Sequence, residues 1–228
     1  MRLSNIFEGR PNLMATLAFN FKCFPFKIAV RLPVILFGKV CTKGCKKGCI
    51  EIDCDIKPGI LKIGYCSLRW RTPYDITSYC NDGKHILKGS CTFGAGSIVV
   101  VGKNGELTTG ERCWFNANTK IICEEKIVIE DRVLGSWDTQ IMDSDLHYTV
   151  KQGKIAKNSD SIFVGAYTWI CNRATIGRGA FVPANSIVAS YSLVNGNFKD
   201  KGEKLLLAGI PAVVKYAGIQ RVVATRGG

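Results

Sequence analysis

The sequence predicts a protein dominated by β-structure, in which short parallel strands form a coil behind a short helical N-terminal segment. The first observation is a period of six: from Val164 to Val194, every sixth residue is a β-branched aliphatic. The second is that the residue four places after each of the first five of these is small, from Thr168 to Ser192, and only the sixth, Phe198, breaks the rule. The third is the composition, 46% hydrophobic and 21% charged, which is ordinary for a globular protein with a buried core.

A period of six fits neither an α-helix nor simple strand alternation. It fits a triangular prism, in which each turn of the chain has three flat strands separated by sharp corners. The aliphatic first position of each hexad fills the interior, and the small fifth position lies where two walls converge. Because each coil buries its edge against the next, several coils are needed for stability. The predicted interior series is Val164, Ile170, Ile176, Val182, Val188 and Val194.

The same phase is recognisable but weaker upstream, from Thr109, and a first ladder is expected near Ile50. Residues 67–106 resist phasing. The period stops at His147 and restarts at Val164, so residues 148–163 are predicted to leave the prism as an excursion, a feature that is often functional. The predicted organisation is an N-terminal segment over 1–49, the β-helix over 50–206 and a C-terminal tail over 207–228.

The charge balance indicates an anionic partner or a solvated basic face. There are 31 Lys and Arg against 18 Asp and Glu, and residues 1–50 hold nine of these cations and one Glu. No nucleic-acid-binding motif accompanies the charge, so nucleic acid is not an expected partner. The remaining candidate partners are a phosphate-bearing cofactor, a polyanionic substrate and anionic lipid.

The first 49 residues mix apolar and basic side chains, and Pro25 and Pro33 break any long helix. We expect short amphipathic helices that either cap the first coil or anchor the protein to anionic lipid through Lys22, Lys27 and Arg31. No signal-peptide pattern is found, and the uncharged run Gly179–Phe198 contains Pro183 and many Ser and Asn, which argues against a membrane span. The expected location is the cytoplasm, at the inner face of the membrane if the segment is an anchor.

The eleven cysteines do not form a secreted disulfide pattern. Cys41, Cys45 and Cys49 have a spacing that a zinc site could use, but no fourth ligand is evident. We therefore expect reduced thiols and no metal.

The segment Gly135–His147, GSWDTQIMDSDLH, concentrates reactive groups where the period stops. A histidine at that point can reach a substrate, and a neutral imidazole can take a proton from a hydroxyl. Asp143 or Asp145 could orient the imidazole or anchor the acceptor. The other histidine, His85, matches no motif and is expected to be structural.

Over residues 50–215 the hexads resemble the hexapeptide-repeat acyltransferases, whose fold is the left-handed parallel β-helix. More narrowly, SWDTQIMDSDLH, YTWICN and LLLAGIPAVVK resemble the sugar O-acetyltransferases of bacterial capsule and O-antigen gene clusters. The resemblance implies an acetyl-CoA donor, a homotrimer with sites between subunits, His147 as general base, and direct transfer without an acyl-enzyme. It implies acceptor contacts at Asn116, Asn118, Trp137 and Trp169, and cofactor contacts at Asn172, Arg178, Ala184, Ala189 and Lys215.

The sequence departs from the family pattern in two places: Cys171 stands where the family has glycine, and Val213 where a basic residue is usual. Two alternatives stay open, and a third is weakened. One is N-acylation of a nucleotide amino sugar, and another is a non-catalytic scaffold that binds polysaccharide. A β-helix zinc enzyme of carbonic anhydrase type needs three histidines, and this chain has two.

Overall fold

Three ladders of short parallel strands form the three walls of a prism in a computed structural model, which describes residues 11–65 and 76–222. Wall one contains β1 (Val34–Leu36), β4 (Leu61–Tyr65), β7 (Cys91–Gly94), β10 (Cys113–Phe115), β13 (Leu134–Gly135), β18 (Trp169–Ile170), β21 (Ile187–Val188), β23 (Leu205–Gly209) and β24 (Ala212–Ala217). Wall two contains β2 (Lys39–Cys41), β5 (Ile76–Asn81), β8 (Ile98–Val101), β11 (Lys120–Cys123), β14 (Gln140–Met142), β19 (Thr175–Ile176) and β22 (Leu193–Val194). Wall three contains β3 (Ile50–Ile52), β6 (Lys84–Leu87), β9 (Glu106–Thr109), β12 (Lys126–Ile129), β17 (Ile162–Val164) and β20 (Phe181–Val182).

The interior of the prism is the hexad core that the sequence predicts. All six predicted first positions, from Val164 to Val194, are 0% exposed. The fifth positions are also buried: Thr168, Ala174, Ala180, Ser186 and Ser192 are at most 3% exposed. The predicted β-helix of hexapeptide repeats is therefore confirmed in its C-terminal half.

The corner after Phe163 and Val164 explains why the next residue is glycine. A Cβ added to Gly165 would lie 2.4 Å from the backbone nitrogen of Ala184 in the next coil, so no side chain fits there. The sharp turn itself is made two residues later in the hexad, where Tyr167 and Arg173 have φ of 60° and 58°. These are left-handed conformations that non-glycine residues adopt rarely.

The N-terminal half has the same walls with longer coils. One coil takes twenty-two residues from Cys91 to its register partner Cys113, but eighteen from Trp169 to Ile187. Because the extra residues fall unevenly at the corners, residues 76–106 are regular in space although their sequence shows no fixed period.

The ladders extend beyond both predicted boundaries. They begin at β1, before residue 50, and they end in the antiparallel pair β23–β24, so residues 207–217 of the predicted tail form part of wall one. Residues 1–10 of the predicted N-terminal segment, and 223–228 of the tail, lie outside the described residues.

Two helices, α1 (Leu13–Cys23) and α2 (Phe26–Ala29), cover the first coil, and we call residues 11–33 the N-terminal cap. Side chains of α1 satisfy the open edge of wall one. The Asn20 side chain donates to the Val34 carbonyl at 2.7 Å and accepts from its N–H at 3.2 Å, and Thr16 Oγ1 accepts from Leu36 N–H at 3.1 Å. Unpaired edges of a β-helix are thereby removed from solvent.

Between β14 and β17 the chain leaves the prism as an arm, residues 143–161. Its tip is a hairpin of β15 (Val150–Lys151) and β16 (Lys154–Ile155). A short 3-10 turn, Lys199–Lys201, precedes the closing hairpin.

Candidate active site

His147 lies at the base of the arm, on the corner between walls two and three. Its side chain is exposed and makes no hydrogen bond to another described residue. Ser144 Oγ accepts from Leu146 N–H at 3.0 Å, and Asp145 N–H donates to the Asn158 carbonyl at 2.8 Å. The backbone around the histidine is therefore fixed while both ring nitrogens are open to a ligand.

Asp143 is buried in the prism and faces away from solvent. Its carboxylate accepts from Glu124 N–H at 2.8 Å and from Glu125 N–H at 2.9 Å, and its exposed fraction is 0%. Its carbonyl also accepts from Asp160 N–H at 2.8 Å, which joins the two ends of the arm. This geometry gives Asp143 a structural task, because neither carboxylate oxygen is open toward the exposed His147.

Asp145 is the exposed carboxylate of the pair. Its Oδ2 lies 2.7 Å from Arg178 Nε, and Arg178 also donates to the Lys157 carbonyl at 3.0 Å. On the other side, Glu125 accepts from Lys157 Nζ at 3.0 Å and from Ser159 Oγ at 2.8 Å, and these contacts lower the pKa of the Glu125 carboxyl. The arm is thus held to two successive coils, and Arg178, predicted as a cofactor contact, takes part in this attachment.

The predicted acceptor residues lie on a different corner, between walls one and two. Trp169 Nε1 donates to Ser136 Oγ at 3.0 Å, which fixes the half-buried indole beside the exposed Trp137. One coil earlier, Asn116 donates to the Gly135 carbonyl at 3.0 Å and accepts from Trp114 Nε1 at 3.1 Å. Asn116 is therefore a corner residue with an occupied amide, whereas Asn118 is exposed at the turn.

A groove of about 490 Å³ opens at this same corner, in the size range of small-ligand sites. The sequence did not point to Lys120 and Arg173, the two cationic side chains that line this groove. Arg173 Nε lies 3.5 Å from Asp138 Oδ2, and its guanidinium hydrogen-bonds the Tyr191 hydroxyl and lies over the Tyr191 ring. The sequence signal that could have identified Arg173 is its place in the repeat. The same turn position is occupied in successive coils by Asn118, Asp138, Arg173 and Tyr191. The lining residues are Gly96, Asn118, Lys120, Asp138, Gln140 and Arg173.

The predicted cofactor residues are spread over the prism. Asn172 and Ala189 lie on the groove corner, and Asn172 accepts from Ser190 Oγ at 2.7 Å. Ala184 lies on the corner between walls three and one, and Lys215 is exposed on β24. One prism therefore brings Asn172 and Ala189 together with the predicted acceptor residues but leaves Ala184 and Arg178 on other corners.

His147 and the two tryptophans do not converge within one chain. They lie on opposite edges of wall two, since the groove corner precedes β14 and β19 while the arm corner follows them. A site containing both sets requires a second copy of the prism beside the first.

The second histidine and the thiols of Cys23, Cys45 and Cys49 are buried. His85 is 0% exposed between the Tyr79 hydroxyl, 2.7 Å from Nδ1, and Thr109 Oγ1, 3.0 Å from Nε2, and burial lowers its pKa to about 3. Cys45 and Cys49 meet Cys23 of α1, not Cys41, in a buried cluster of hydrogen-bonded thiols. Within residues 11–65 and 76–222 no group of three or more His, Cys, Asp or Glu side chains could hold a metal ion.

No protein-family model matches the chain, and no curated protein matches it. Solved structures do match. The polySia-specific acetyltransferase NeuO is 14% identical over 86% of this chain and 81% of its own, with a TM-score of 0.55. The polysialic acid O-acetyltransferase OatWY is 15% identical over 82% of this chain and 92% of its own, with a TM-score of 0.53.

A third match is a hexapeptide-repeat-containing acetyltransferase from Vibrio cholerae O1 biovar eltor, solved with acetyl coenzyme A. It is 21% identical over 58% of this chain and 70% of its own, with a TM-score of 0.49. At these identities the likeness concerns the fold, and the NeuO and OatWY matches carry it. The chain has the left-handed parallel β-helix fold of the hexapeptide-repeat acetyltransferases.

Proposed function

We propose that the chain is an acetyl-CoA-dependent O-acetyltransferase that modifies a sugar hydroxyl of a surface polysaccharide or of its precursor. The observation that carries this is His147: an exposed imidazole with unoccupied nitrogens, at the base of an arm that polar contacts hold to a β-helix of the acetyltransferase kind. Two structures of that fold, NeuO and OatWY, are described as acetyltransferases of polysialic acid, which supports a saccharide acceptor.

The groove corner, which also carries Asn172 and Ala189, is the proposed place of the donor. Lys120 and Arg173 line the groove and supply cations for phosphate groups. At Ala189, on the same corner, a small side chain would let an extended ligand approach the backbone. Lys215, exposed on β24, is a further proposed phosphate contact. The bound donor supplies an activated acetyl group as a thioester.

His147 acts as general base in this scheme. Its neutral imidazole accepts the proton of the acceptor hydroxyl as that oxygen bonds to the acetyl carbonyl carbon, and the carbon–sulfur bond then breaks. The imidazolium returns the proton to the departing sulfur. Asp145, an exposed carboxylate that pairs with Arg178, is proposed to orient the base or the acceptor, since Asp143 is committed to the Glu124 and Glu125 amides.

The pKa of the Cys171 thiol favours direct transfer over an acyl-enzyme. Cys171 follows Trp169 and Ile170 on the groove corner, and burial raises its pKa to about 11. A thiol with such a pKa is mostly protonated at neutral pH, and the thiolate is the nucleophilic form.

We also propose a homotrimer. The acceptor tryptophans and His147 lie on opposite edges of wall two, so only a neighbouring prism can complete the site. The arm exposes Leu146, Tyr148, Val150 and Ile155, an apolar set that a neighbour would cover. A closed cyclic assembly satisfies both conditions.

The test is transfer of radiolabelled acetyl from acetyl-CoA to a panel of oligosaccharides, with wild type, His147→Ala and an exposed arm control, Lys151→Ala. We expect ester-linked, alkali-labile label and a fall of about 10²- to 10⁴-fold in His147→Ala, with Lys151→Ala near wild type. Alkali-stable label on amino sugars would instead indicate N-acylation. Full activity in His147→Ala would remove the base from the scheme.

A further inference from the structure

We propose that the outer face of the N-terminal cap is a docking surface for an anionic lipid bilayer. This inference is independent of the acetyl-transfer chemistry, because it concerns residues at one end of the prism. Two properties of the same segment carry it: an apolar face that the fold does not use, and a charge of one sign beside it.

The two faces of α1 have different partners. Thr16, Phe19, Asn20 and Cys23 face the prism and are buried, and the hydrogen bonds of Thr16 and Asn20 complete the edge of β1. Capping the coil therefore requires that face alone. The opposite face of α1 is free for another purpose.

That outer face is apolar and exposed. Met14 on α1 is 80% exposed and Phe26 on α2 is 72% exposed, and the ring of Phe21 contacts that of Phe26 at 5.9 Å between centroids. The two helices thus present one continuous surface. Its apolar members are Leu13, Met14, Leu17, Phe21, Phe26 and Val30. A group of six exposed apolar side chains marks a site of interaction with a protein or a membrane.

The charge around the surface favours the membrane. The cap itself contains three cations, Lys22, Lys27 and Arg31, and no Asp or Glu, and residues 34–50 add four further Lys and again no Asp or Glu. Within the described part of the chain, none of the seven lies within salt-bridge distance of a carboxylate. Lys22 and Lys27 are exposed next to Phe21 and Phe26, the pattern of a segment that inserts aromatic rings while its cations meet lipid phosphates.

The contact is peripheral. Among the described residues, no helix has the length and the apolar character that crossing a bilayer requires. Short helices lying in the interface bind through their apolar area plus electrostatic attraction, so binding should require both terms and weaken with salt.

The experiment is vesicle flotation of the full chain with phosphatidylcholine alone and with about one third phosphatidylglycerol. We expect binding to the anionic vesicles, loss at high salt, and a drop of about tenfold or more in Met14→Ser/Phe26→Ser and in Lys22→Gln/Lys27→Gln. The matched controls, Ile210→Ser/Tyr216→Ser at the other end of the prism and Lys151→Gln/Lys154→Gln on the arm, should bind as wild type.

Three results would overturn the proposal. The first is that wild-type protein does not float with the anionic vesicles. Loss of binding in the lysine pair but not in the Met14/Phe26 pair would indicate electrostatic adsorption alone and would remove the apolar face from the contact. A lower molecular mass of Met14→Ser/Phe26→Ser by light scattering, without any vesicle binding by wild type, would assign the face to a second copy of the chain.

Discussion

Replacing the two aspartates before His147 should separate a structural carboxylate from a functional one. In Asp143→Ala, two part-buried N–H groups, of Glu124 and Glu125, lose acceptors at 2.8 and 2.9 Å. A fully buried unsatisfied donor costs about 1–3 kcal/mol, so two part-buried donors should lower the free energy of unfolding by about 2–4 kcal/mol. For a chain of this size that lowers Tm by roughly 4–16 °C.

Asp145→Ala removes an exposed ion pair with Arg178, and such pairs contribute about 0–1 kcal/mol. Its Tm should stay within about 4 °C of wild type while kcat falls, because the charge beside His147 and one attachment of the arm are lost. The assays are thermal unfolding by circular dichroism and acetyl transfer at saturating donor. The reasoning fails if Asp143→Ala melts with wild type, or if Asp145→Ala is the variant that unfolds.

Three further predictions concern the core, the pH dependence and the arm. Val188→Ala opens a cavity in the interior column and should cost about 1–3 kcal/mol in chemical denaturation; no cost would contradict a packed prism. His85, with a pKa lowered to about 3 from 6.5, stays neutral in the fold, so between pH 6.5 and about 3 the unfolded chain binds a proton that the folded chain does not. Stability should therefore fall as pH falls, by up to roughly 1.4 kcal/mol per unit, and His85→Gln should show a shallower slope by that amount; equal slopes would refute a neutral His85. Replacing residues 150–155 by two glycines removes Val150 and Ile155, two of the four side chains proposed to contact a neighbouring subunit, so it should lower turnover. The attachments at Lys157 and Ser159 remain, so each chain should stay folded by circular dichroism, and global unfolding would contradict an accessory arm.

The hexad period was sufficient to predict the interior of the prism because coils near the C-terminus have no insertions. From Trp169 to Ile187 the chain repeats after eighteen residues, so sequence phase and spatial register coincide. Between Cys91 and Cys113 the coil is longer, and the phase is lost although the walls continue. The start of wall one at β1, before residue 50, could not be predicted for the same reason.

The exposed position of His147 was predictable from the sequence, but the arrangement of the candidate site was not. The break in the period indicated that His147 lies outside the prism, and it does lie at the base of the arm, because a break in a period is a local feature of sequence. It could not separate Asp143 from Asp145, since burial depends on which coil lies below. Nor could it place Arg178 against Asp145, because that contact joins residues of two coils.

Calorimetric titration of acetyl-CoA into the purified chain, with dephospho-CoA as the control ligand, tests whether the protein binds the proposed donor. It requires no knowledge of the acceptor. We predict micromolar binding that weakens when the 3′-phosphate is absent. No detectable binding to protein that is folded by circular dichroism would contradict an acetyl-CoA-dependent transferase and leave the β-helix as a scaffold.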